Sequence, residues 1–591
     1  MTETIHVSIA WPYTNGDPHG GHLAGALLPG DIFARYHRLK GNRVLMVSGS
    51  DSHGTPIMIT ADQEGVSPRE AFEKYHRRFL DAQLALGISF DLYTHTDTEN
   101  HHRIAQDFFL KLLERGGVYL DTQTLLFDEQ AGRFLPDRFV EGTCPVCGYT
   151  EARGDQCDQH GGLLDPLELI NPRSKLTGAT PVQRQTQHYF LDLGKFKVDL
   201  REYLNTDKDH WRANVISVAR NMVEDLHSRP ITRDIDWGIP VPLEGWEGKC
   251  LYVWFEAVMG YFTASVEWAK NNGTPEAWRD WWYDPAARIY NFIGKDNIPF
   301  HTVMWQAELL GVAGIYSDDP EQELNLPYDV PANEFMNVLG GKFSKTQNRA
   351  IWLPYLLERY DPDAIRYYFT SIMPETRDTE FTWEDFVTRN NTELVAWWGN
   401  LANRVLQFAA KHWDGIVPDP GELRTEDKAL LEKVEAGFKT VSDLYAAVKL
   451  RGALSEAMGL AREVNVYLDG APWFGAVKTD RQAAATTVYT ALQAIDHLTT
   501  MLAPVIPFTA QKLYEMLGYD GQLFGELKII RYEESTRAHE TLVYDGTRAI
   551  GTWQPRKLRP GQKLGQPAPL YKKLEDKVIE EENARMGIAL P

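Results

Sequence analysis

The sequence has few cysteines and no long apolar run, and both shortages limit the classes of protein to which the chain can belong. Only 4 of its 591 residues are cysteines, and three of them lie between positions 144 and 157. So few cysteines do not build a disulfide framework and fit a reducing compartment, so we predict a cytoplasmic protein. No stretch approaches the roughly 20 apolar residues of a membrane-spanning helix. The N-terminus lacks the basic and apolar segments of a signal peptide, so we expect neither a membrane anchor nor secretion.

Basic residues are also scarce relative to acidic ones. The chain has 61 lysines and arginines against 82 aspartates and glutamates, a formal net charge of −21. This balance excludes a general nucleic-acid coat protein, because phosphate backbones bind basic surfaces, and any RNA contact must use a local basic face. The 591 residues of the chain correspond to about four domains of typical size.

The chain begins with the alternation of strands and helices that is typical of a parallel sheet. HVSIA (6–10) and RVLMVSGSD (43–51) are short apolar runs, and LAGALLPGDIFARYHRLK (23–40) between them has helical spacing. Units of this kind form parallel sheets whose ligands lie at the carboxyl ends of the strands. Similar runs return at residues 250–311 after a stretch rich in glycine and proline, so we predict a first domain split by an insertion. Residues 386–530 are largely helical by periodicity.

The turn His19-Gly20-Gly21-His22 lies where the first predicted strand meets the first helix. A helix N-terminus binds anions, and glycines let a phosphate approach the backbone. Two imidazoles there could donate hydrogen bonds to a phosphoryl-transfer transition state, and preorganised donors are often the largest contribution to catalysis. The same pattern also fits a surface loop with incidental histidines.

A second loop, GGKFSKT at residues 340–346, places Lys342 and Lys345 after paired glycines. Lysine is a mobile point charge, so two lysines in such a loop can reach a polyphosphate. Alone the pattern is weak evidence, because loops of this kind are usually only solvated. Combined with the histidine pair earlier in the chain, it predicts a shared nucleotide site.

Together these loops resemble the signatures of a known family. HGGH resembles the HIGH signature of class I aminoacyl-tRNA synthetases and KFSKT resembles their KMSKS signature, while Gly21, Phe343 and Thr346 are departures that remove no charge. Longer strings narrow the resemblance to methionyl-tRNA synthetases: AWPYTNGDPHGGHLAG, SGSDSHGTPI, GATPVQRQTQHYFLDL, RPITRDIDWGIPVP, YVWFEAVMGY, FIGKDNIPFH and NLANR followed by APW. The resemblance covers nearly the whole chain.

The resemblance implies a ligase that activates L-methionine with ATP to methionyl-adenylate and transfers it to the 3′ end of tRNA(Met), initiator tRNA included, for translation initiation and elongation. Mg²⁺ would accompany ATP. ATP binding is implied for His19, His22, Arg233, Asp296, Lys342 and Lys345, of which the histidines and lysines would be catalytic. Methionine binding is implied for Ala10, Trp11, Tyr13, Asp51, Trp254, Ala257, Tyr261, Asn297, His301 and Trp305, with Asp51 on the substrate ammonium. Trp11, Val258 and Asn297 depart from the usual residues, so the shape of the pocket stays open. Without the resemblance, the aromatic residues would be interpreted as core.

Three cysteines and a histidine have the spacing of a zinc site. Cys144-x2-Cys147-x9-Cys157-x2-His160 contains two short chelating pairs, and Cys3His is an accepted tetrahedral ligand set. Four protein ligands leave no open position, so one zinc ion would be structural. The family's knuckle usually ends in a fourth cysteine, which makes His160 a departure. A metal-free knuckle with His160 turned outward is the alternative.

We expect an α/β protein with a Rossmann-like parallel-sheet catalytic domain, split by a zinc-knuckle insertion and followed by an α-helical anticodon-binding bundle. The expected ranges are 1–115 and 246–330 for the catalytic halves, 116–245 for the insertion with its knuckle at 144–160, 331–385 for the KMSKS-loop and stem-contact region, 386–545 for the helical domain, and 546–591 for a tail that packs back on the catalytic part. The resemblance implies that Asn400, Arg404 and Trp473 bind the CAU anticodon. Single-stranded loops are recognised by such aromatic, guanidinium and amide groups.

Other functions remain open on the sequence alone. Leucyl-, isoleucyl- or valyl-specific relatives usually carry a larger editing insertion, and a cysteinyl-specific relative carries a catalytic zinc. A synthetase-derived RNA-binding protein would not need both signatures, and a small-molecule nucleotidyltransferase would not need a helical bundle. We expect a monomer, because few residues follow position 545 compared with the barrel through which some relatives dimerise.

Overall fold

The computed structural model describes residues 2–136, 139–154, 157, 159, 164–338 and 350–586. Its first part alternates strands and helices: β1 (Thr4–Ile9), α1 (Gly20–His22), a π-helical segment (Leu23–Leu27), α2 (Leu28–Leu39), β2 (Arg43–Ser50), α3 (Thr55–Glu64), α4 (Pro68–Leu86), β3 (Leu92–His95) and α5 (Glu99–Glu114). Local residues set the helix ends. At the start of α4 the Ser67 hydroxyl accepts from the Glu70 amide, the Glu70 carboxylate accepts from the Ser67 amide, and Gly87 ends the helix with φ of 70°.

The insertion after α5 consists mostly of short antiparallel strands. Its elements are β4 (Val118–Asp128), β5 (Arg133–Phe134), β6 (Val140–Thr143), β7 (Ala152–Arg153), β8 (Ile170–Ser174), β9 (Val182–Leu191), α6 (Lys197–Asn205), α7 (Ala213–Glu224), β10 (Arg229–Pro230) and β11 (Thr232–Arg233). β4 and β9 form a long ribbon, in register from Val118 opposite Leu191 to Phe127 opposite Val182. The strands β6, β7 and β8 form a separate sheet, and Cys144 follows β6 directly.

The chain then returns to the sheet that it left at β3. This part contains β12 (Cys250–Leu251), α8 (Val253–Asn271), α9 (Arg279–Trp282), β13 (Arg288–Gly294), a 3-10 turn (Lys295–Asn297), a π-helical segment (Phe300–Met304), α10 (Trp305–Gly311), β14 (Ala332–Asn333), β15 (Met336–Val338), α11 (Leu353–Arg359), α12 (Pro362–Ser371), β16 (Thr379–Phe381) and α13 (Trp383–Arg389). The strands β14, β13, β1, β2 and β3 are neighbours in that order and pair in parallel. Because β1 pairs with β2 on one side and β13 on the other, the strand order reverses there and a crevice opens beyond the carboxyl ends.

The C-terminal part is a helical bundle, as the periodicity predicts. After a π-helical segment (Asn390–Gly399) it contains α14 (Asn400–His412), α15 (Thr425–Ala446), α16 (Leu450–Gly470), α17 (Ala476–Thr479), α18 (Arg481–Leu502), α19 (Pro507–Met516), β17 (Glu526–Glu533), β18 (Ala538–Asp545) and α20 (Lys577–Arg585). α18 is buried on nearly every face and forms the centre of the bundle. None of the described helices combines the length and apolar character that a membrane span requires.

The last residues of the range predicted to be helical, 386–545, form a β-hairpin instead. β17 and β18 pair antiparallel, and β18 adds to β3 through Leu542 opposite Tyr93, so the hairpin extends the catalytic sheet to seven strands. The segment LKIIRYEESTRAHETLVY carries β-branched and aromatic residues on both sides of a polar turn, a pattern that indicates a hairpin. The helical periodicity of residues 386–530 dominates the range, so the whole range is predicted as one helical domain. The hairpin covers the edge of β3, which would otherwise expose unpaired backbone groups.

The tail after β18 packs against its own chain. Glu582, on α20, is fully buried, and its carboxylate accepts hydrogen bonds from the hydroxyls of Tyr355 at 2.8 Å and Tyr360 at 2.7 Å. Arg359 completes the contact at 3.1 Å. Since α11 and its C-cap supply these partners, the tail lies against the element that follows residues 339–349.

A buried arginine connects the catalytic sheet with the helical bundle. Arg366 donates to Asp31 Oδ2 at 2.6 Å and also to the carbonyl oxygens of Leu86, Pro504 and Val505. Both charged side chains are fully buried. Although burial raises the pKa of Asp31, the guanidinium groups of Arg35 and Arg366 lower it to about 2, so the pair is ionised. Asp31 lies on α2, the helix that continues from the HGGH turn.

Replacing this arginine should destabilise the whole chain. Arg366→Met leaves several buried carbonyls without a donor, and breaking one partner of a buried pair costs about 3–5 kcal/mol. The exposed Arg201, which pairs with Glu224 at 2.6 Å, is the matched control, and Arg201→Met should cost less than about 1 kcal/mol. Urea unfolding midpoints of both variants test this. Equal midpoints would show that Arg366 does not hold the two parts together.

Candidate active site

The HGGH turn has a fixed geometry at the start of α1. The amide of Gly21 donates to His19 Nδ1 at 3.1 Å, and the amide of His19 donates to His22 Nδ1 at 3.2 Å. The two imidazoles stack with ring centroids 3.7 Å apart. Position 20 requires glycine, because a Cβ there would lie 2.8 Å from the Phe369 ring. The tight backbone therefore brings both imidazoles to the N-terminus of one continuous helical stretch.

A cavity of about 350 Å³ lies beyond the carboxyl ends of β1 and β13. Of the residues predicted to bind ligands, six line it: Ala10, Trp11, His19, His22, Asp296 and Asn297. They come from the loop after β1, from the HGGH turn and from the 3-10 turn after β13. This is the crevice expected where the strand order reverses.

Lys342 and Lys345 belong to residues 339–349, which lie outside the described part of the chain. The described residues on both sides of that segment reach the HGGH turn. Met336 lines the cavity, the Gly20 amide donates to the Ile351 carbonyl at 2.8 Å, and the Leu353 amide donates to the Pro18 carbonyl at 2.9 Å. Both ends of the lysine-bearing segment are thus anchored beside His19.

Nine residues that line the cavity are not among the predicted ligand-binding residues: Pro12, Gly21, Gly25, Ala26, Leu27, Gly294, Glu334, Phe335 and Met336. Glu334 accepts from Lys295 Nζ at 2.6 Å and from Asn214 at 2.7 Å, which fixes the wall opposite the HGGH turn. The signal that could have found it is its place directly after β14, a further parallel strand whose carboxyl end meets the same edge of the sheet.

Arg233 is not part of the cavity wall. Its guanidinium donates to the carbonyl oxygens of Pro230 and Thr232 at 2.9 Å and stacks over the Tyr252 ring at 3.9 Å. It lies on β11, which pairs with β12 immediately before α8. To reach a nucleotide in the cavity, the side chain would have to leave these partners.

The aromatic residues predicted for the methionine pocket form a cluster behind the cavity. Tyr13 contacts Trp254 edge-on, and Trp254 stacks on Phe300 with ring centroids 4.3 Å apart. The Tyr261 hydroxyl donates to His301 Nε2 at 2.5 Å, while His301 Nδ1 donates to the Asn297 carbonyl at 2.9 Å. Burial lowers the pKa of His301 to about 4, so its imidazole is neutral at physiological pH. Ala257, Tyr261, His301 and Trp305 are all buried in this structure and do not line the cavity.

Trp11 packs into the core more deeply than a pocket lining requires. Its side chain is 8 % exposed and packs against Gly49 and Gly260. A Cβ would lie 2.2 Å from a Trp11 ring atom at position 49 and 2.5 Å from one at position 260, which is too close for any other residue. Its Nε1 finds no hydrogen-bond acceptor among the described residues. The two glycines are therefore needed for the large side chain at this position, which explains how the fold accommodates the departure noted from the sequence.

Asp51 is almost fully buried at the end of β2 and is held by the backbone. Its amide donates to the Pro12 carbonyl at 2.9 Å, and the Thr14 amide donates to its carbonyl at 3.3 Å. Burial and the nearby carboxylate of Glu256 raise the pKa of Asp51 well above its ordinary value. An uncompensated carboxyl at the sheet edge suits a cationic ligand.

The cysteine cluster of the insertion has the compactness of a metal centre. The Sγ atoms of Cys144, Cys147 and Cys157 lie within 4.8 Å of one another, and those of Cys147 and Cys157 are 3.5 Å apart. Tetrahedral zinc with Zn–S bonds of about 2.3 Å places sulfurs about 3.8 Å apart, so the spacing fits. The Val146 amide also donates to Cys144 Sγ at 3.4 Å. His160, the fourth predicted ligand, lies outside the described residues.

A basic groove of about 660 Å³ opens on the helical bundle. Asn400, Arg404, Lys411 and Lys478 line it, and Arg404 donates to Asn465 at 3.2 Å. Asn400 and Arg404 thus line one surface groove. The groove supplies the local basic face that the acidic composition of the chain requires of any RNA contact.

Trp473 lies beneath this groove rather than on it. It is 5 % exposed, donates from Nε1 to the Leu468 carbonyl at 3.1 Å, and packs under the Arg404 guanidinium. The next residue, Phe474, is 60 % exposed, lines the groove and packs against Trp473 in a tilted arrangement with ring centroids 4.3 Å apart. The exposed aromatic surface is therefore that of Phe474, which the sequence did not single out.

Two family models match the chain. Residues 5–406 match the model described as tRNA synthetases class I (M), and residues 417–530 match the anticodon binding domain of methionyl tRNA ligase. The first match ends within α14 and the second begins after it. The first covers the parallel strands of the sheet, the insertion and the cavity, and the second covers most of the bundle.

Curated proteins and solved structures agree with these models. The chain is 54 % identical over 590 residues to a methionine–tRNA ligase of Thermomicrobium roseum, with 99 % of each chain covered. It is 46 % identical to a methionine–tRNA ligase of Thermobifida fusca, with both chains fully covered. It is also similar to the Mycobacterium tuberculosis methionyl-tRNA synthetase bound by methionyl-adenylate, at 25 % identity and a TM-score of 0.73 over 96 % of this chain and 100 % of that one.

Proposed function

The chain belongs to the class I methionyl-tRNA synthetases, and from this premise we propose that it binds ATP in the cavity between the carboxyl ends of β1 and β13. The observation that carries the proposal is that His19, His22 and Asp296 line this one cavity. It lies at the N-terminus of a long helical stretch, where phosphate is favoured. Membership of the family also decides against the leucyl-, isoleucyl-, valyl- and cysteinyl-specific alternatives.

The proposed reaction has two steps. A carboxylate oxygen of methionine attacks the α-phosphorus of ATP, the bond from that phosphorus to the pyrophosphate oxygen breaks, and methionyl-adenylate forms. A terminal ribose hydroxyl of tRNA(Met) then attacks the methionyl carbonyl carbon and displaces AMP. Neither step needs a protein nucleophile, so positioning and electrostatic stabilisation supply the catalysis.

We assign the charges around ATP as follows. His19 and His22 donate hydrogen bonds to phosphoryl oxygens, and Lys342 and Lys345 bind the leaving pyrophosphate. Asp296, which is exposed at the cavity mouth, binds the ribose or another polar part of the substrates. Arg233 joins them by exchanging its carbonyl partners for substrate. Mg²⁺ bound with ATP would neutralise part of the phosphate charge.

Methionine would enter beside this site with its ammonium on Asp51. Its carboxylate then faces the α-phosphorus, and its side chain points into the cluster of Tyr13, Trp254, Tyr261 and His301. A neutral His301 that accepts from Tyr261 suits an uncharged thioether. Ala257, Tyr261, His301 and Trp305 are buried, and Tyr261 packs against His301 and Trp305, so we propose that these side chains shift to admit the methionine side chain. Ala10, Trp11 and Asn297 form the boundary between the two subsites.

We propose one structural zinc ion in the insertion, held by Cys144, Cys147, Cys157 and His160. The spacing of the three sulfurs supports it. The ion would replace the larger apolar core that such a small three-stranded sheet cannot build. We further propose a cytoplasmic monomer, because the described tail is occupied by contacts with its own chain through α20.

Pyrophosphate exchange with each of the twenty amino acids in turn tests the specificity. Methionine should support exchange far better than any other amino acid, and His19→Asn or His22→Asn should reduce kcat about 100-fold or more, as expected for the loss of a preorganised donor to a developing charge. Their KM for methionine should change little. A clear preference for another amino acid would overturn the specificity.

Metal analysis of protein purified without chelator tests the zinc site. We expect about one zinc per chain, lost in Cys147→Ser and reduced in His160→Ala. Cys250→Ala is the matched control, because this cysteine is buried on β12, away from the cluster. A zinc content near zero in the unaltered protein would contradict the site, and full zinc in His160→Ala would remove His160 from the ligand set.

The groove on the bundle predicts that Phe474 stacks on an anticodon base. Stacking of a base on an aromatic ring contributes about 1–3 kcal/mol, so Phe474→Ala should raise the KM for tRNA(Met) about tenfold or more. Phe474→Tyr should retain binding, and pyrophosphate exchange, which needs no tRNA, should be unchanged in both. If Phe474→Ala aminoacylates tRNA(Met) normally, the ring does not contact the anticodon.

A further inference from the structure

A buried cluster of charges lies directly behind Asp51. The imidazole of His53 is 2 % exposed, and its Nδ1 lies 2.8 Å from Glu256 Oε1 while its Nε2 lies 3.7 Å from Asp97 Oδ1. The His53 amide donates to Asp51 Oδ1 at 3.3 Å. One short loop thus carries both Asp51, the proposed ammonium ligand, and an imidazole that lies between two further carboxylates.

The rest of the cluster balances Asp97. Arg537, at the tip of the β17–β18 hairpin, donates to Asp97 Oδ1 at 2.7 Å, and Arg69 lies 2.5 Å from Asp97 Oδ2. His102 approaches the same carboxylate at 3.3 Å. A metal could bridge His53, Asp97 and His102, whose donor atoms lie within 4.8 Å of one another. Two guanidinium groups already neutralise the carboxylate, however, so the cluster repels a further cation.

With Asp97 balanced, two imidazoles remain beside Glu256, those of His53 and His101, and His53 is the one whose own amide also donates to Asp51. Glu256 also accepts from His101 Nε2 at 2.8 Å, and that imidazole is oriented by Thr263. Within the described part of the chain, no lysine or arginine nitrogen lies within 4.0 Å of an Asp51 oxygen. Tyr261, which also faces Asp51, is a neutral phenol whose pKa is raised by burial and by the Asp51 charge. The positive charge that Glu256 and Asp51 can share is that of His53.

We propose that His53 is a positioning residue for methionine: as an imidazolium it balances Glu256, so that the negative charge of Asp51 stays available to the substrate ammonium. The proposal rests on the assignment of Asp51 in the proposed function. Without the imidazolium, Glu256 and Asp51 would be neighbouring buried carboxylates that share one proton, and the ammonium site would be lost at neutral pH.

The electrostatics agree with this geometry. Burial lowers the pKa of His53, but the carboxylates of Glu256 and Asp97 outweigh it and raise that pKa to about 10. Burial raises the pKa of Glu256, yet the imidazoles of His53 and His101 lower it to about 2. The charge of His53 also lowers the pKa of Asp51, against the burial and the Glu256 charge that raise it. Loss of His53 should therefore raise the pKa of Asp51 and weaken methionine binding most at low pH.

The experiment measures pyrophosphate exchange of the full-length protein between pH 6.5 and 9. In His53→Asn, the KM for methionine relative to the unaltered protein should rise about tenfold at the acid end, equivalent to a shift of about one pKa unit, and should recover towards the alkaline end. Taking the ratio of the two KM values at each pH cancels the effect of deprotonation of the methionine ammonium group. The KM for ATP should stay unchanged, and kcat should fall less than KM rises, because bound ammonium itself neutralises Asp51.

A rescue separates this role from simple packing. In the double variant His53→Asn with Glu256→Gln, the carboxylate that needed balancing is gone, so the KM for methionine should return towards its normal value at low pH. Glu256→Gln alone should show no acid-dependent rise in KM, which keeps the proposal testable if His53→Asn does not fold. His102→Asn is the matched control, because it removes an imidazole from Asp97 without facing Asp51, and it should leave the pH profile unchanged.

Asp51→Asn tells the two proposals apart. It should raise the KM for methionine at every pH, and if it does not, Asp51 is not the ammonium ligand and both proposals fail. If Asp51→Asn behaves as expected but His53→Asn raises KM equally at all pH values, or Glu256→Gln does not rescue it, the role of His53 is overturned while the proposed function stands.

Discussion

The parallel pairing of β1 between β13 and β2 is the constraint on which the rest of the structure depends. Ile9 at the end of β1 pairs with Phe292, and the loop beyond it continues to pair with Asp51 through Pro12 and Thr14. Three loops from distant parts of the chain therefore end at one edge of the sheet. The reversal of strand order at β1 leaves a crevice there that no side chain of the sheet fills. The HGGH turn, the 3-10 turn at Asp296 and both ends of the lysine-bearing segment meet in that crevice.

Charge compensation inside the protein is the second recurring feature. The chain is strongly acidic overall, and several of its buried carboxylates, among them Asp31, Asp97 and Glu256, have arginine or histidine partners. Arg366 and Asp31 connect the helix that follows the HGGH turn to the bundle, while Arg537 brings the C-terminal hairpin to Asp97, just after β3. Both contacts join the part of the chain after residue 360 to the catalytic sheet. Breaking either one leaves an uncompensated buried charge, so the C-terminal part is held to the catalytic part at defined points.

Several aromatic residues that the resemblance implies in binding act in this structure as supports. Trp473 packs beneath Arg404 and exposes Phe474, Trp11 fills the space left by two glycines, and Trp305 lies in the core against other rings. A family motif shows only that a residue type recurs at a position. A residue needed for packing recurs in such a motif just as a ligand-binding residue does. In this structure Trp473 is buried and Phe474 is exposed, so Phe474 is the ring that the groove presents to solvent.

Local spacing in the sequence predicted the split α/β fold, the helical bundle and the cysteine cluster, because each of these depends on residues close together in the chain, while the resemblance of longer motifs pointed to the family. The hairpin at 526–545 carried a local signal too, but its place on the edge of β3 did not. The pairing of His53 with Glu256 joins residues 203 positions apart, and that of Asp97 with Arg537 joins residues 440 apart. No pattern of spacing predicts such partners, since their distance is set by how strands and helices pack. The tertiary structure alone decided which buried carboxylates lie beside an arginine or a histidine.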